Sequence, residues 1–110
     1  MFVRQVLFDL NESAVDREQL REYLRNESVD AFAAVPGLRL KIWITEEDAN
    51  SWGAIYLWES RKACEAAGPL PSRAREMIGH APTVREFDVE ATAEGAFTSG
   101  RLHKAGRAYE

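Results

Sequence analysis

Cysteine, histidine and positive charge are all scarce in this chain. A single cysteine, Cys64, leaves no partner for an intramolecular disulfide. Two histidines, His80 and His103, with no Cys-x-x-Cys or His-x-x-x-His spacing, are too few for a dedicated metal site. Lys and Arg number 14 against 18 Asp and Glu, a net charge of −4. The arginines alternate with acids, so no basic field is offered to nucleic acid. Long apolar runs are missing too: Pro36, Arg39, Lys41 and Glu59 cut every stretch well short of the ~20 residues that span a bilayer. The start Met1-Phe2-Val3-Arg4-Gln5 lacks the apolar core of a signal peptide, and a cytoplasmic location is expected. Gly95, Gly100 and Gly106 lie where no strand precedes them to launch a phosphate-binding turn. No cofactor is expected.

What the 110 residues do contain, 45% hydrophobic and 29% charged, suits one small globular domain. Residues 2–8 are rich in β-branched and aromatic side chains and end at Asp9-Leu10-Asn11, which predicts a strand followed by a turn. Ser13 with Asp16 reads as a capping box, and Leu20, Leu24, Ser28 and Ala31 recur at helical spacing, predicting a helix over about 14–34. Its solvated face carries Glu18 with Arg21 and Glu22 with Arg25, each three apart. Pro36-Gly37 stops it. A strand over 38–45 then alternates Leu38, Leu40, Ile42 and Ile44 against Arg39, Lys41, Trp43 and Thr45. After the polar stretch 46–51, a third strand sets Trp52, Ala54, Tyr56 and Trp58 against Gly53, Ile55 and Leu57.

That third strand is apolar on both faces. One helical layer covers only one of them, so a second copy of the chain is expected on the other, making a homodimer. Ser60 starts a short helix that Gly68-Pro69-Leu70-Pro71 breaks before helical pattern resumes at Ser72, and Thr83 to Val89 reads as a last strand. The order βαββαβ predicts an α+β, ferredoxin-like domain over 1–90, with an antiparallel four-stranded sheet. Residues 91–110 form a C-terminal extension whose expected anchors are Phe97, Leu102 and Tyr109.

The distinctive chemistry is the aromatic set Trp43, Trp52, Tyr56 and Trp58 in the central hairpin. It fills a core, or it lines a pocket with Arg39 or His80 at the rim, suited to a flat, hydrophobic, oxygenated substrate. An imidazole at His80 titrates near neutrality and can serve as a base. Cys64, among alanines, reads as a small buried hydrophobe.

Three stretches carry a family resemblance: Pro36-Gly37-Leu38 leading to Lys41-Ile42-Trp43; Gly53-Ala54-Ile55-Tyr56-Leu57-Trp58; and Phe87-Asp88-Val89. Over about residues 2–90 the chain resembles the YdhR-like monooxygenase family, part of the dimeric α+β barrel group that includes antibiotic-biosynthesis monooxygenases. It departs from the family where Gly68-Pro69-Leu70-Pro71 interrupts the second helix. The resemblance implies a cofactor-independent monooxygenase acting on a small phenolic or enolic aromatic. Trp43, Tyr56 and Trp58, with Trp52, would be pocket walls, Arg39 or Lys41 would stabilise an anion, and Tyr56 and His80 would be the catalytic residues, with His80 as base. The alternatives are a non-catalytic small-molecule binding module and a cofactor-free isomerase or cyclase.

Overall fold

The computed structural model describes residues 1–97, 100 and 102–110. Its elements are β1 (Phe2–Asp9), α1 (Arg17–Tyr23), a π-helical segment (Leu24–Ser28), α2 (Val29–Ala33), β2 (Leu38–Glu46), β3 (Ser51–Trp58), α3 (Arg61–Ala66), α4 (Ala74–Ile78), β4 (Thr83–Asp88) and a 3-10 turn (Arg107–Tyr109). The strands form one antiparallel sheet in the order β2-β3-β1-β4, the ferredoxin-like α+β arrangement that the alternation implied. Among the described residues no helix is long and apolar enough to cross a membrane.

The first helical stretch begins later than its sequence pattern suggested. Asp16, not Ser13, is the cap: its carboxylate accepts from Gln19 N, and the Gln19 side chain accepts from Asp16 N, a reciprocal pair that Ser13 with Asp16 does not make. Ser13 is still in the turn, where its hydroxyl bonds Val15. The chain then runs through the π-helical segment into α2, directing Leu20, Tyr23, Leu24, Ser28 and Phe32 into the core. On the outer face Glu18 pairs with Arg25 at 3.2 Å rather than with Arg21, because Arg25 reaches back while also donating to the Ala108 carbonyl.

One expectation about β2 fails at its start. The ladder shifts between Leu38 and Leu40, so Arg39 is an extra residue and Leu38 packs inward beside Trp58 instead of sharing the outer side with Leu40, Ile42 and Ile44. From Lys41 onward the pairing is regular. Gly53 permits the tight approach of β1 and β3, since a Cβ there would lie 1.9 Å from the Val6 carbonyl oxygen. At the hairpin end, Arg17 donates to Thr45 Oγ1, Asn50 Oδ1 and the Glu46 carbonyl, tying α1 to the β2–β3 turn.

Helices cover one face of the sheet. The other presents Val3, Leu7, Leu40, Ile42, Ile44, Ile55, Leu57 and Phe87 by strand alternation, with Ile42 47% and Phe87 40% exposed. The extension closes over the helical layer through buried Ala108 and partly buried Tyr109, helped by Lys104 with Asp30 and Arg107 with Glu47. The other two expected anchors do not serve: Phe97 and Leu102 face solvent, because charged contacts and a small alanine hold this segment.

Candidate functional site

The cross-strand register sets the chemistry. Lys41 on β2 lies opposite Tyr56 on β3, Tyr56 opposite Arg4 on β1, and Arg4 opposite Glu86 on β4, so four ionisable side chains share one line on the helix-covered side. Beside this line Phe8, Trp43 and Trp52 add large rings. The helical layer is thin here because Gly68-Pro69-Leu70-Pro71 cannot continue α3, and the chain re-enters only at α4. Between sheet and helices lies a cavity of about 310 Å³, whose lining includes Arg4, Phe8, Lys41, Trp43, Trp52, Tyr56, Arg75 and Pro82. That is near the lower end of ligand-site volumes and suits a small molecule. Among the described residues, three basic side chains and no carboxylate line it.

Lys41 is the least ordinary of these groups. Its Nζ lies 3.3 Å from the Phe32 ring centroid, 4.3 Å from that of Tyr56 and 4.4 Å from that of Trp43. Among the described residues no hydrogen bond or ion pair reaches it. Burial in this unpaired state lowers its pKa to about 6. The ring faces favour the ammonium and pull part of the way back. Tyr56 is pushed up to about 12, chiefly by burial and against the Arg4 charge, so it remains a phenol able to donate a hydrogen bond. Its ring is stacked on Trp58 with 3° between planes and meets the Phe32 edge at 5.9 Å. Arg4 Nε is buried with no partner among the described residues.

Of the residues picked out from sequence, Lys41, Trp43, Trp52 and Tyr56 meet at this cavity, and three others do not. Trp58 is fully buried behind Tyr56, packing with Phe2 and Leu38, and so backs the wall without forming it. Arg39, as the extra residue of β2, points to solvent and pairs with Glu59 at 3.0 Å. His80 is half-buried with its ring 6.5 Å from that of Phe8, outside the lining, because Gly79 (φ 103°) ends α4 and turns the chain away. Arg4 and Arg75 were missed. For Arg4 a signal existed, since it alternates with Phe2, Val6 and Phe8 and must share their buried side. Cys64 is half-buried and burial pushes its thiol up, which keeps it protonated.

A broader groove of about 660 Å³ runs over residues 13–19 and Asn50, where polar groups are already occupied by the Asp16 cap and the Arg17 contacts. Among the described residues no group of three or more His, Cys, Asp or Glu side chains is placed to hold a metal ion.

Residues 3–98 match the family described as "Putative mono-oxygenase ydhR". No curated protein matches the chain. Among solved structures, it is similar to a monooxygenase from the gene ActVA-Orf6 of Streptomyces coelicolor, in complex with nanaomycin D (17% identity, 86% of this chain and 92% of that one, TM-score 0.60). It is also similar to a variant of SnoaB, a cofactor-independent oxygenase from Streptomyces nogalater (22% identity, 83% and 92%, TM-score 0.51). At such identities the likeness is one of fold.

Proposed function

This chain belongs to the ydhR mono-oxygenase family, and on that premise we propose that it oxygenates a small phenolic or enolic aromatic without a cofactor, as a homodimer joined through the open face of its sheet. What carries the reading is the cavity: indole and phenol rings to hold a flat substrate, and Arg4 and Lys41 to stabilise an anion. In this chemistry the ionised substrate is electron-rich enough to give an electron to dioxygen directly. The two radicals then combine in a C–O bond at a ring or methylene carbon conjugated with the oxyanion. The O–O bond breaks, one oxygen stays on carbon as a new carbonyl, and the other leaves as water. A phenol plus dioxygen thus gives a quinone plus water, with all four electrons supplied by the substrate.

The protein's tasks are desolvation, orientation and charge. Trp43, Trp52 and Phe8 exclude water, and Tyr56 donates to the developing oxyanion. Trp58 fixes the Tyr56 ring. The cofactor-independent oxygenase among the similar folds supports the class of reaction, and nanaomycin D bound to another supports a small organic ligand.

Dioxygen uptake tests the proposal, measured on chelator-treated protein with a panel of phenols and anthrone-type enols. Uptake matched by quinone is the expected result. Product formed without oxygen would replace the reading by an isomerase or cyclase, and tight binding without any turnover by a binding module.

A further inference from the structure

We propose that Lys41 is the general base of this cavity, an uncharged amine that takes the acidic proton of the bound phenol or enol. The inference rests on the reading above for the substrate class and on separate geometry for the residue. Lys41 lines the cavity, lies over three aromatic rings and, among the described residues, has no acid paired with it. Every charged group that shares its surroundings is unfavourable to a second cation or already engaged. Arg4 and Arg75 line the same cavity. Asp30 of α2, the element that supplies Phe32, is paired with Lys104 at 3.0 Å. Glu86 stands beyond Arg4 in the cross-strand line. On β2 itself the inward neighbours are Trp43 and Thr45, and on β3 Tyr56 is a phenol. Burial without a counterion favours the free amine near neutral pH.

The alternatives within reach are weaker bases or poorly placed. Tyr56 would need to be a phenolate, which burial opposes. His80 lies outside the lining. Transfer from the substrate O–H to Lys41 Nζ leaves an oxyanion next to an ammonium, two opposite charges created together where water is excluded. The unpartnered Nε of Arg4 offers the oxyanion a second cation. When the O–O bond later breaks, the proton on Nζ passes to the oxygen that leaves as water, and the amine is restored.

The chain supplies its own reference signals, since its lysines are Lys41, Lys62 and Lys104, the latter two exposed. In protein carrying ¹³C-lysine, the Lys41 side-chain resonance is expected to titrate several pH units below those of Lys62 and Lys104. Co-titration of all three would overturn the proposal without any variant being made. The functional arm uses, without oxygen, a phenol that titrates about two units above Lys41, such as 4-cyanophenol, at the pH midway between the two, where the free amine is mostly uncharged and the free ligand mostly neutral, following phenolate absorbance and net proton release together. Wild-type protein is expected to bind phenolate and release no proton to the buffer, because Lys41 keeps it. Lys41→Arg, already charged, is expected to bind phenolate and release the proton, and Lys41→Met to bind the neutral phenol. Proton release by the wild type, neutral phenol in its cavity, or no binding would each overturn the assignment. If these signatures hold and no dioxygen is consumed with any phenol, the oxygenase reading falls while Lys41 stands as a proton acceptor.

Discussion

The two faces of the one sheet are built from the same strands and do opposite things. On the helix-covered face Arg4, Lys41 and Tyr56 interrupt the aromatic rows and are held largely out of water, while Glu86 at the end of their line is exposed. On the open face Leu40, Ile42, Ile44, Ile55 and Leu57 sit one residue away in the same strands, and Arg85 there lies with its guanidinium over the Phe87 ring at 5.2 Å. Alternation with period 2 is enough to separate a cavity-lining surface from an exposed apolar one. The cavity face keeps an unpaired amine from water, whereas the open face, in the proposed dimer, would gain stability by being covered, at a scale of ~800 Å² per partner for a standard interface.

The largest expected break in this contrast is on the open face. Ile42→Asp with Leu57→Asp should weaken the proposed dimer by at least about 3 kcal/mol, more than a hundredfold. Light scattering should then report a monomer, while the Lys41 titration stays depressed because the cavity lies on the other side. Loss of that depression would mean the faces are not independent.

Next in size is Lys41→Met, an apolar replacement of similar length. Because the folded amine titrates at about 6 and the unfolded one at 10.5, the unfolded chain holds the extra proton between those values, and wild-type stability rises with pH across that window. The full window corresponds to about 6 kcal/mol, and the ring contacts that favour the ammonium, lost in the variant, cut it, so the Met variant should be more stable by roughly 2–4 kcal/mol near pH 6, with the advantage fading toward zero as pH approaches 10.5. Denaturant midpoints across the window check both the sign and the fading. An advantage that grew with pH would contradict the buried free amine.

Tyr56→Phe removes one donor and little volume. Turnover should fall about tenfold to a hundredfold, with binding of a flat aromatic nearly unchanged. An unchanged turnover number would remove Tyr56 from the reaction. The smallest effect is expected at Arg39→Ala: the exposed pair with Glu59 contributes under ~1 kcal/mol, and turnover should not change.

Much of this division could be read from the chain alone, because alternation within a strand is local information. Trp43, Tyr56 and Lys41 follow from it, as does the break at Gly68-Pro69-Leu70-Pro71. What escaped depended on other segments. The meeting of Arg4 with Tyr56 and Lys41 is a register across three strands, fixed by close packing at Gly53 and by the hairpin that Arg17 ties down. Asp16 won the cap from Ser13 because Gln19 could answer it. His80 was a plausible base by residue type, and the left-handed turn at Gly79 put its ring elsewhere. Phe97 and Leu102 looked like anchors by hydrophobicity, yet Ala108 fits where a larger side chain would not be needed. The π-helical segment has no pattern of its own in Leu24–Ser28.

The surplus residue at position 39 bears on how this fold can change over generations. Since the ladder on both sides of Arg39 keeps its orientation, a lineage could lose that codon and retain Lys41, Trp43 and Tyr56 where they are, merely straightening the strand. The turn at 47–50 has no such slack: one codon gained or lost there would force β2 to slip against β3 and carry the amine to the exterior. Length variation among descendants of this chain should therefore accumulate at the first place and be purged from the second.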